Sequence, residues 1–212
     1  MTADTTLILS LIGFAFATCI TPGPNNFMLM SSGALFGFRR TLPHILGIQF
    51  GFLSLTAGSV LGLGAIVIRM PWLMIVVKVA GAAWLGWLGI GFLAAALNAG
   101  EEDASSTTES RSRPLRFHEA AFFQWANPKA LIIALSASGA YLGISPAPSV
   151  RLLTICGTFA AMGTLSSTTW AIGGKLLNQL MSTGRSARLL NLMMGLLLFA
   201  TAAIILMTPT PA

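Results

Sequence analysis

Two short segments combine prolines with asparagines inside otherwise apolar sequence, and they are where side chains could meet a polar ligand. The first is Thr21-Pro22-Gly23-Pro24-Asn25-Asn26 and the second is Asn127-Pro128-Lys129. Amide side chains donate and accept hydrogen bonds, and a lysine ammonium donates three. An α-amino acid needs both kinds of partner, donors for its carboxylate and acceptors for its ammonium. The predicted substrate-binding residues are Pro22, Gly23, Pro24, Asn25, Asn26, Asn127, Pro128 and Lys129.

The prolines of both segments interrupt helices that the surrounding apolar sequence favours. Proline has no N–H and clashes with the carbonyl one turn back, so a helix continued through Pro22 and Pro24 leaves carbonyls without partners. In a bilayer, such backbone is tolerated only where protein or a water-filled cavity surrounds it. The breaks therefore predict a cavity, with simple proline kinks as the alternative. For each asparagine, capping of a broken helix is an equal alternative to substrate contact.

The composition excludes a large water-soluble fold. Of the 212 residues, 55% are hydrophobic and 8% are charged, whereas soluble domains carry about 25% charged residues. The net charge of +6 does not indicate nucleic-acid binding, because the basic residues lie in short gaps between apolar runs. The first apolar run has no basic residue before it, so we interpret it as a transmembrane segment and not as a removed signal peptide.

The apolar runs predict an all-α integral membrane protein with six transmembrane helices. The expected spans are residues 7–38, 44–68, 72–97, 117–142, 152–172 and 189–207. Three spans on each side of a polar linker turn the second half over, so we expect two inverted three-helix repeats in one membrane domain. The repeats are residues 1–97 and 118–212, and the linker is 98–117. The first helix of each repeat is broken at proline, which is typical of a transporter site.

The distribution of lysine and arginine between the spans predicts the orientation, because these residues are retained in the cytoplasm. Two of the five connections between the spans contain a single basic residue each, Arg69 in one and Arg151 in the other. The other three hold Arg39, Arg40, Arg111, Arg113, Arg116, Lys175, Arg185 and Arg188. We therefore expect the 98–117 linker to be cytoplasmic and both termini to be periplasmic.

Inside the spans the charged residues are Lys78 and Lys129. Lys78 lies close enough to a span end for its ammonium to snorkel to the interface. Lys129 lies deeper, and we expect it to face a substrate carboxylate or the carbonyls freed by the breaks. The sequence shows no embedded carboxylate, catalytic set or metal-binding pattern, so it predicts no enzyme activity, no cofactor and no metal. Gly33 and Gly37, Gly47 and Gly51, and Gly58 and Gly62 have the spacing of close helix packing.

The chain resembles the LysE/RhtB family of amino-acid exporters over nearly its whole length. The matching motifs are residues 21–26, Gly47-Ile48-Gln49-Phe50-Gly51, Gly81-Ala82-Ala83-Trp84-Leu85 and Asn127-Pro128-Lys129. The resemblance implies secondary export of an amino acid across a bacterial inner membrane. The implied partners are this small molecule and the lipid bilayer, and assembly into a homo-oligomer is left open.

One departure from the family pattern bears on the substrate. Exporters of lysine or arginine in the family tend to have an acidic residue after the glycine that is Gly51 here, whereas this chain has Phe52. The context is most similar to the subgroup that exports cysteine and O-acetylserine. The resemblance thus favours small neutral substrates such as cysteine, O-acetylserine, homoserine or threonine.

Two other functions compete with transport. The first is a thiol-type transmembrane electron carrier, suggested by Cys19 close to Pro22, although Asn127 stands where the second break would need a thiol and Cys156 lies in another span. The second is a structural membrane subunit without transport activity.

Overall fold

The computed structural model describes residues 5–63, 71–98, 113–180 and 184–207. Every regular element within them is helical, as the composition predicts. The helices are α1 (Thr5–Ile20), α2 (Pro24–Phe36), α3 (Phe38–Gly58), α4 (Pro71–Asn98), α5 (Phe117–Ala126), α6 (Pro128–Ala140), α7 (Pro148–Leu180) and α8 (Gly184–Met207). A π-helical stretch, Ser59–Leu63, continues α3, and a 3-10 turn, Leu142–Ile144, follows α6. Arg69, most of the expected linker and the side chain of Lys78 lie outside the described residues.

Both predicted helix breaks are confirmed, and they have the same construction. Helices α1 and α2 meet at an angle of 57°, and Pro24 occupies the first turn of α2. Pro128 occupies the same position in α6, directly after Asn127. Proline is favoured there because its missing N–H would have no partner within the helix anyway. At each break the preceding helix therefore ends and a new helix begins, instead of one helix continuing with a bend.

Several helices begin earlier or end later than the apolar runs indicate. Helix α3 begins at Phe38 and not at residue 44, since the preceding break is at Gly37, which has a φ of 76°. A positive φ favours glycine, and the chain turns there with polar Arg39 and Arg40 already helical. Helix α7 extends from Pro148 to Leu180, beyond the expected 152–172. The helices exceed the predicted spans because backbone hydrogen bonds can continue through polar residues. An apolar run in the sequence, by contrast, ends at the first polar residue.

Helices α3 and α7 form the centre of the packing. They contact each other, α3 also packs on α5, and α7 packs on α1 and α2. Helices α4 and α8 pack mainly on one another. Large apolar side chains such as Leu9, Phe50, Phe122 and Leu153 point outward, as expected for a surface covered by lipid.

Three of the predicted packing glycines lie at close helix contacts. A Cβ atom at Gly47 or Gly51 would overlap backbone of α5, and one at Gly33 would overlap the carbonyl of Ala171 on α7. Gly37 and Gly62 have open space and instead take positive φ values. The packing interpretation is confirmed for the first three and is wrong for these two.

The interior contains two apolar clusters at different levels of the helix bundle. The Met28 cluster includes Met28, Ile45, Leu85, Ala120 and Phe123. The Phe159 cluster includes Leu11, Phe52, Leu131, Tyr141 and Phe159.

Among the described residues, two helical segments are long and apolar enough to cross a membrane, Phe38–Gly62 and Pro148–Leu176. The bent pair Thr5–Ile20 and Pro24–Phe36 is a third candidate span. Shorter apolar stretches lie in α4, α6 and α8. The described part of the chain is thus all-helical, with two to three candidate membrane spans by length and composition.

Candidate functional site

The site forms where the broken end of α1 meets side chains from three other helices. The carbonyl of Cys19 accepts hydrogen bonds from Asn26 Nδ2 at 2.8 Å and from Ser166 Oγ at 2.7 Å. The carbonyl of Ile20 accepts one from Trp170 Nε1 at 3.2 Å. A buried carbonyl left without a partner costs about 1–3 kcal/mol. Side-chain donors therefore stabilise a helix end that has no helical partners.

Lys129 reaches the same helix end from the first turn of α6. Its Nζ donates to the carbonyl of Thr21 at 2.7 Å, with the carbonyl of Pro22 at 3.5 Å. We expected Lys129 to face either a substrate carboxylate or carbonyls freed by the breaks, and in the structure its ammonium contacts carbonyls at the first break. A cation at the carboxyl end of α1 also complements the negative end of the helix dipole.

Gly23 makes room for this lysine. A Cβ atom on Gly23 would lie 3.1 Å from both Cδ and Nζ of Lys129, closer than ordinary van der Waals contact. The backbone of Gly23 is extended, with φ at −176°, which any residue can adopt. The requirement for glycine at this position is therefore one of space.

Asn25 pairs with Gln124, a residue that the sequence analysis missed. Asn25 Nδ2 donates to Gln124 Oε1 at 2.7 Å, and Gln124 Nε2 donates to Asn25 Oδ1 at 3.1 Å. Gln124 has no exposed surface and lies about one turn before the second break. The pair connects the two broken helices side chain to side chain. An amide within the apolar run Phe122-Phe123-Gln124-Trp125 was the signal that could have indicated it.

Asn26 and Asn127 make hydrogen bonds to backbone. Asn26 Nδ2 also lies 2.9 Å from the carbonyl of Thr21. Asn127 Oδ1 accepts from the backbone N–H of Lys129 at 3.1 Å, which makes it the N-cap of α6. Asn26 thus caps the carboxyl end of α1 and Asn127 caps the amino end of α6. Capping was the alternative to substrate contact for each asparagine.

These groups surround a cavity of about 70 Å³, the central cavity, at the meeting point of both breaks. A single water molecule needs about 10–15 Å³, so the cavity has room for several. The predicted residues Gly23, Pro24, Asn25, Asn26, Asn127 and Lys129 line it, whereas Pro22 is exposed beside it. The further lining residues are Thr18, Cys19, Ile48, Gln49, Phe52, Gln124, Ala130, Ile133, Gly163, Ser166 and Ser167.

Gln49 and the serines of α7 were also missed by the sequence analysis. Gln49 Nε2 donates to Thr164 Oγ1 at 2.8 Å and so joins α3 to α7. Ser166 and Ser167 are buried, at 3% and 4% exposure. Short hydroxyl side chains are common in membrane helices as packing residues, so they gave no distinct signal.

Comparison with known proteins decides the family. The model of the LysE type translocator family matches residues 16–208 of this chain. The chain belongs to the LysE type translocator family. The match covers both helix breaks and every residue that lines the central cavity.

Relatives of this LysE type translocator carry a specific name. The cysteine/O-acetylserine efflux protein of Escherichia coli O1:K1 / APEC is 28% identical over 196 residues, which are 91% of this chain and 94% of that protein. The proteins of the same name from Escherichia coli strain K12 and from Shigella sonnei strain Ss046 are each 27% identical over 198 residues, with the same coverage. No solved structure matches the chain significantly.

The two cysteines of this LysE type translocator are free thiols in different surroundings. Cys19 lines the central cavity, and Cys156 Sγ lies 4.0 Å from the carbonyl of Leu53. Within the described residues, no group of three or more histidine, cysteine or acidic side chains could hold a metal ion. The polar groups that line the central cavity are amides, hydroxyls, the Cys19 thiol and the Lys129 ammonium, and apolar side chains such as Ile48 and Phe52 form the rest.

Proposed function

We propose that this protein is a secondary transporter that exports small neutral amino acids from the bacterial cytoplasm, with cysteine and O-acetylserine as the first candidates. Membership of the translocator family and the printed activity of the relatives support this proposal. The observation that carries it is the central cavity between two broken helices, in which amide, hydroxyl and ammonium groups lie beside apolar side chains. Such cavities, with helix ends facing them, are the usual substrate sites of transporters.

We also propose six spans in two inverted repeats, 1–97 and 118–212, joined by the cytoplasmic linker 98–117. The packing supports a two-fold relation between the halves, in which α3 corresponds to α7 and α4 to α8. Helix α3 packs on the first helix of the other half, α5, and α7 packs correspondingly on α1. The corresponding pairs α3 with α7 and α4 with α8 pack on each other, as a two-fold axis between the halves requires.

The substrate carboxylate would bind at the amino-terminal end of α2, next to Lys129. The first turn of a helix presents N–H groups and the positive end of its dipole, and Asn25 and Asn26 lie in that turn. An ammonium donates three hydrogen bonds, so Lys129 can hold the Thr21 carbonyl and a carboxylate together. The proposed acceptors for the substrate ammonium are the amide oxygens of Asn25 and Gln124, which line the same cavity.

The lining favours a neutral side chain on the substrate. Among the described lining residues Lys129 is the charged one, and no carboxylate stands beside it. Phe52 is 8% exposed and packs on Phe159, with ring centroids 5.2 Å apart. A second positive charge on the substrate would therefore meet an aromatic side chain and an ammonium, and no anion.

Transport is tested with inverted membrane vesicles and radiolabelled cysteine, O-acetylserine, homoserine, threonine and lysine. We expect uptake of at least one neutral compound and not of lysine. Lys129→Ala should lower the rate about tenfold or more, because a hydrogen bond to a charged group contributes about 1.5–3 kcal/mol. Lys175→Ala is the matched control, since Lys175 is exposed on α7 and away from the cavity.

Immunoblots of the vesicles show whether each variant reaches the membrane in equal amount. Full activity of Asn25→Ala/Lys129→Ala at equal abundance would remove the site assignment. Uptake by none of the compounds would refute export of the proposed class.

A further inference from the structure

We propose that a second cavity in this protein is the water-filled access route by which the amino acid reaches the central cavity from the cytoplasm. This inference rests on the proposed export function. The second cavity, called the inner cavity here, has a volume of about 220 Å³. Its walls include Ser31, Ser32, His44, Trp87, Gly91 and Arg113.

The two cavities lie along the same faces of α2 and α3. On α2, Asn25 lines the central cavity, and Met28 and Ser32 line the inner one. On α3, Ile48 lines the central cavity and His44 lines the inner one. Residues three and four apart share one face of a helix. The cavities are therefore successive openings of one seam between these helices.

Apolar side chains separate the two openings. Met28, which faces the inner cavity, and Ile48, which faces the central cavity, belong to the same buried cluster together with Ala120 and Phe123. The described conformation thus has a closed barrier about one helical turn thick. Substrate passage requires these side chains to separate.

The inner cavity has polar groups that a purely lipid-filled gap would not favour. Ser31, Ser32 and His44 are buried, at 6%, 5% and 1% exposure, and Ser32 Oγ lies 2.8 Å from Thr41 Oγ1. Polar groups at membrane depth usually face protein or a hydrated cavity. At the mouth, Arg113 is held by Glu119 through hydrogen bonds of 2.9 and 2.7 Å. The cavity therefore opens near Arg113, at the end of the expected linker that we propose to be cytoplasmic.

The opposite wall belongs to the pair of α4 and α8, which packs less extensively on the other helices than within itself. Trp87, Ile90 and Gly91 of α4 form that wall, and α4 packs mainly on α8. Displacement of the α4–α8 pair would widen the inner cavity and release Leu85 from the Met28 cluster. This motion would connect the two cavities.

Accessibility of an introduced thiol tests whether the inner cavity holds water. A Cβ atom at Gly91 meets nothing within 4 Å, and the same is true of Gly13 on the exposed face of α1. Both glycines lie about two turns from a helix end, so Gly13→Cys is a matched control for Gly91→Cys. The reagent is the membrane-impermeant trimethylammonium-ethyl methanethiosulfonate, and peptide mass spectrometry separates the new thiol from Cys19 and Cys156.

We expect modification of Gly91→Cys in inverted vesicles but not in right-side-out vesicles. Gly13 lies nearer the end of the first span that we propose to be periplasmic, so Gly13→Cys is tested in right-side-out vesicles. Because the thiolate is the reactive form and lipid disfavours it, this variant should react there about tenfold more slowly, or less, than Gly91→Cys does in inverted vesicles. Equal reaction of both variants, or reaction of Gly91→Cys from the opposite side only, would overturn the proposal.

Transport by the Gly91→Cys variant before and after modification tests whether the cavity is the route. The bulky ammonium reagent should stop uptake, whereas the small methyl methanethiosulfonate should leave most of it. Unchanged uptake after complete bulky modification would overturn the route. If the unsubstituted protein transports none of the amino acids but the labelling pattern is the expected one, export is refuted. The conclusion that the inner cavity is hydrated would still stand in that case.

Discussion

Lys129 and Gly23 show how much of the site depends on a few atoms. The ammonium passes close to Gly23, where a Cβ atom would crowd it, and it donates to the carbonyls of Thr21 and Pro22, which lie in the break between α1 and α2. The same ammonium is the group that we propose to bind the substrate carboxylate. A cation shared between backbone and substrate could couple binding to the position of α1.

Gly23→Ala separates this role of Lys129 from general stability. The added methyl group should displace the ammonium and lower transport several-fold, because a charge-assisted hydrogen bond contributes about 1.5–3 kcal/mol. Gly13→Ala is the control, since its methyl group meets open space and alanine in a helix stabilises by about 0.5–1 kcal/mol over glycine. Vesicle uptake and thermal unfolding in detergent measure the two effects. Normal transport by Gly23→Ala would show that the observed lysine position is not required.

The amide pair of Asn25 and Gln124 connects helices that are far apart in sequence. Each amide satisfies the other, so neither is left unpaired in an apolar surrounding. A substrate that takes over one oxygen would change the contact between the two broken helices.

At the scale of elements, α3 is the helix that organises the site. It begins at the turn of Gly37, approaches α5 through Gly47 and Gly51, and holds α7 through Gln49. These contacts bring Gln124 and Ser166 to the central cavity. The position of α3 therefore contributes to the shape of the cavity together with the two broken helices.

Gly51→Ala should destabilise the protein by about 1–3 kcal/mol, because overpacking forces neighbouring backbone to move. The new methyl group would overlap the carbonyl of Ala121 on α5. Gly157→Ala on α7, where a Cβ atom meets nothing within 4 Å, is the control and should be neutral or slightly stabilising. Unfolding temperatures of both variants in the same detergent measure the difference. Equal unfolding temperatures of the two variants would mean that α3 and α5 can move apart without loss of stability.

At the scale of the whole molecule, the central cavity lies between two apolar clusters. Ile48 belongs to the Met28 cluster and Phe52 to the Phe159 cluster, and both side chains line the cavity. Each cluster can act as a barrier toward one side of the membrane. We propose that transport opens one cluster at a time.

Reporter fusions test the proposed six-span topology. Green fluorescent protein inserted in the 98–117 linker should fluoresce, because it faces the cytoplasm, and alkaline phosphatase fused after residue 212 should be active, because it faces the periplasm. The reciprocal fusions are the controls and should be inactive. A fluorescent fusion after residue 212 would place the C-terminus in the cytoplasm and contradict an even number of spans with periplasmic termini.

Local physical properties explain what the sequence by itself determined. Low charge and long apolar runs exclude a soluble fold, and the absence of an N–H on proline breaks a helix whatever surrounds it. The helical class, both breaks and six of the residues that line the central cavity followed from these properties.

Only the tertiary structure decided which groups face one another. The sequence left open whether Lys129 meets carbonyls or substrate, and it did not indicate the pairing of Gln124 with Asn25 or the inner cavity. These contacts join residues about a hundred positions apart, such as Lys129 and Thr21. Their partners depend on how closely glycine-containing helices pack and at what angle, and packing across such separations is not a property of any local pattern.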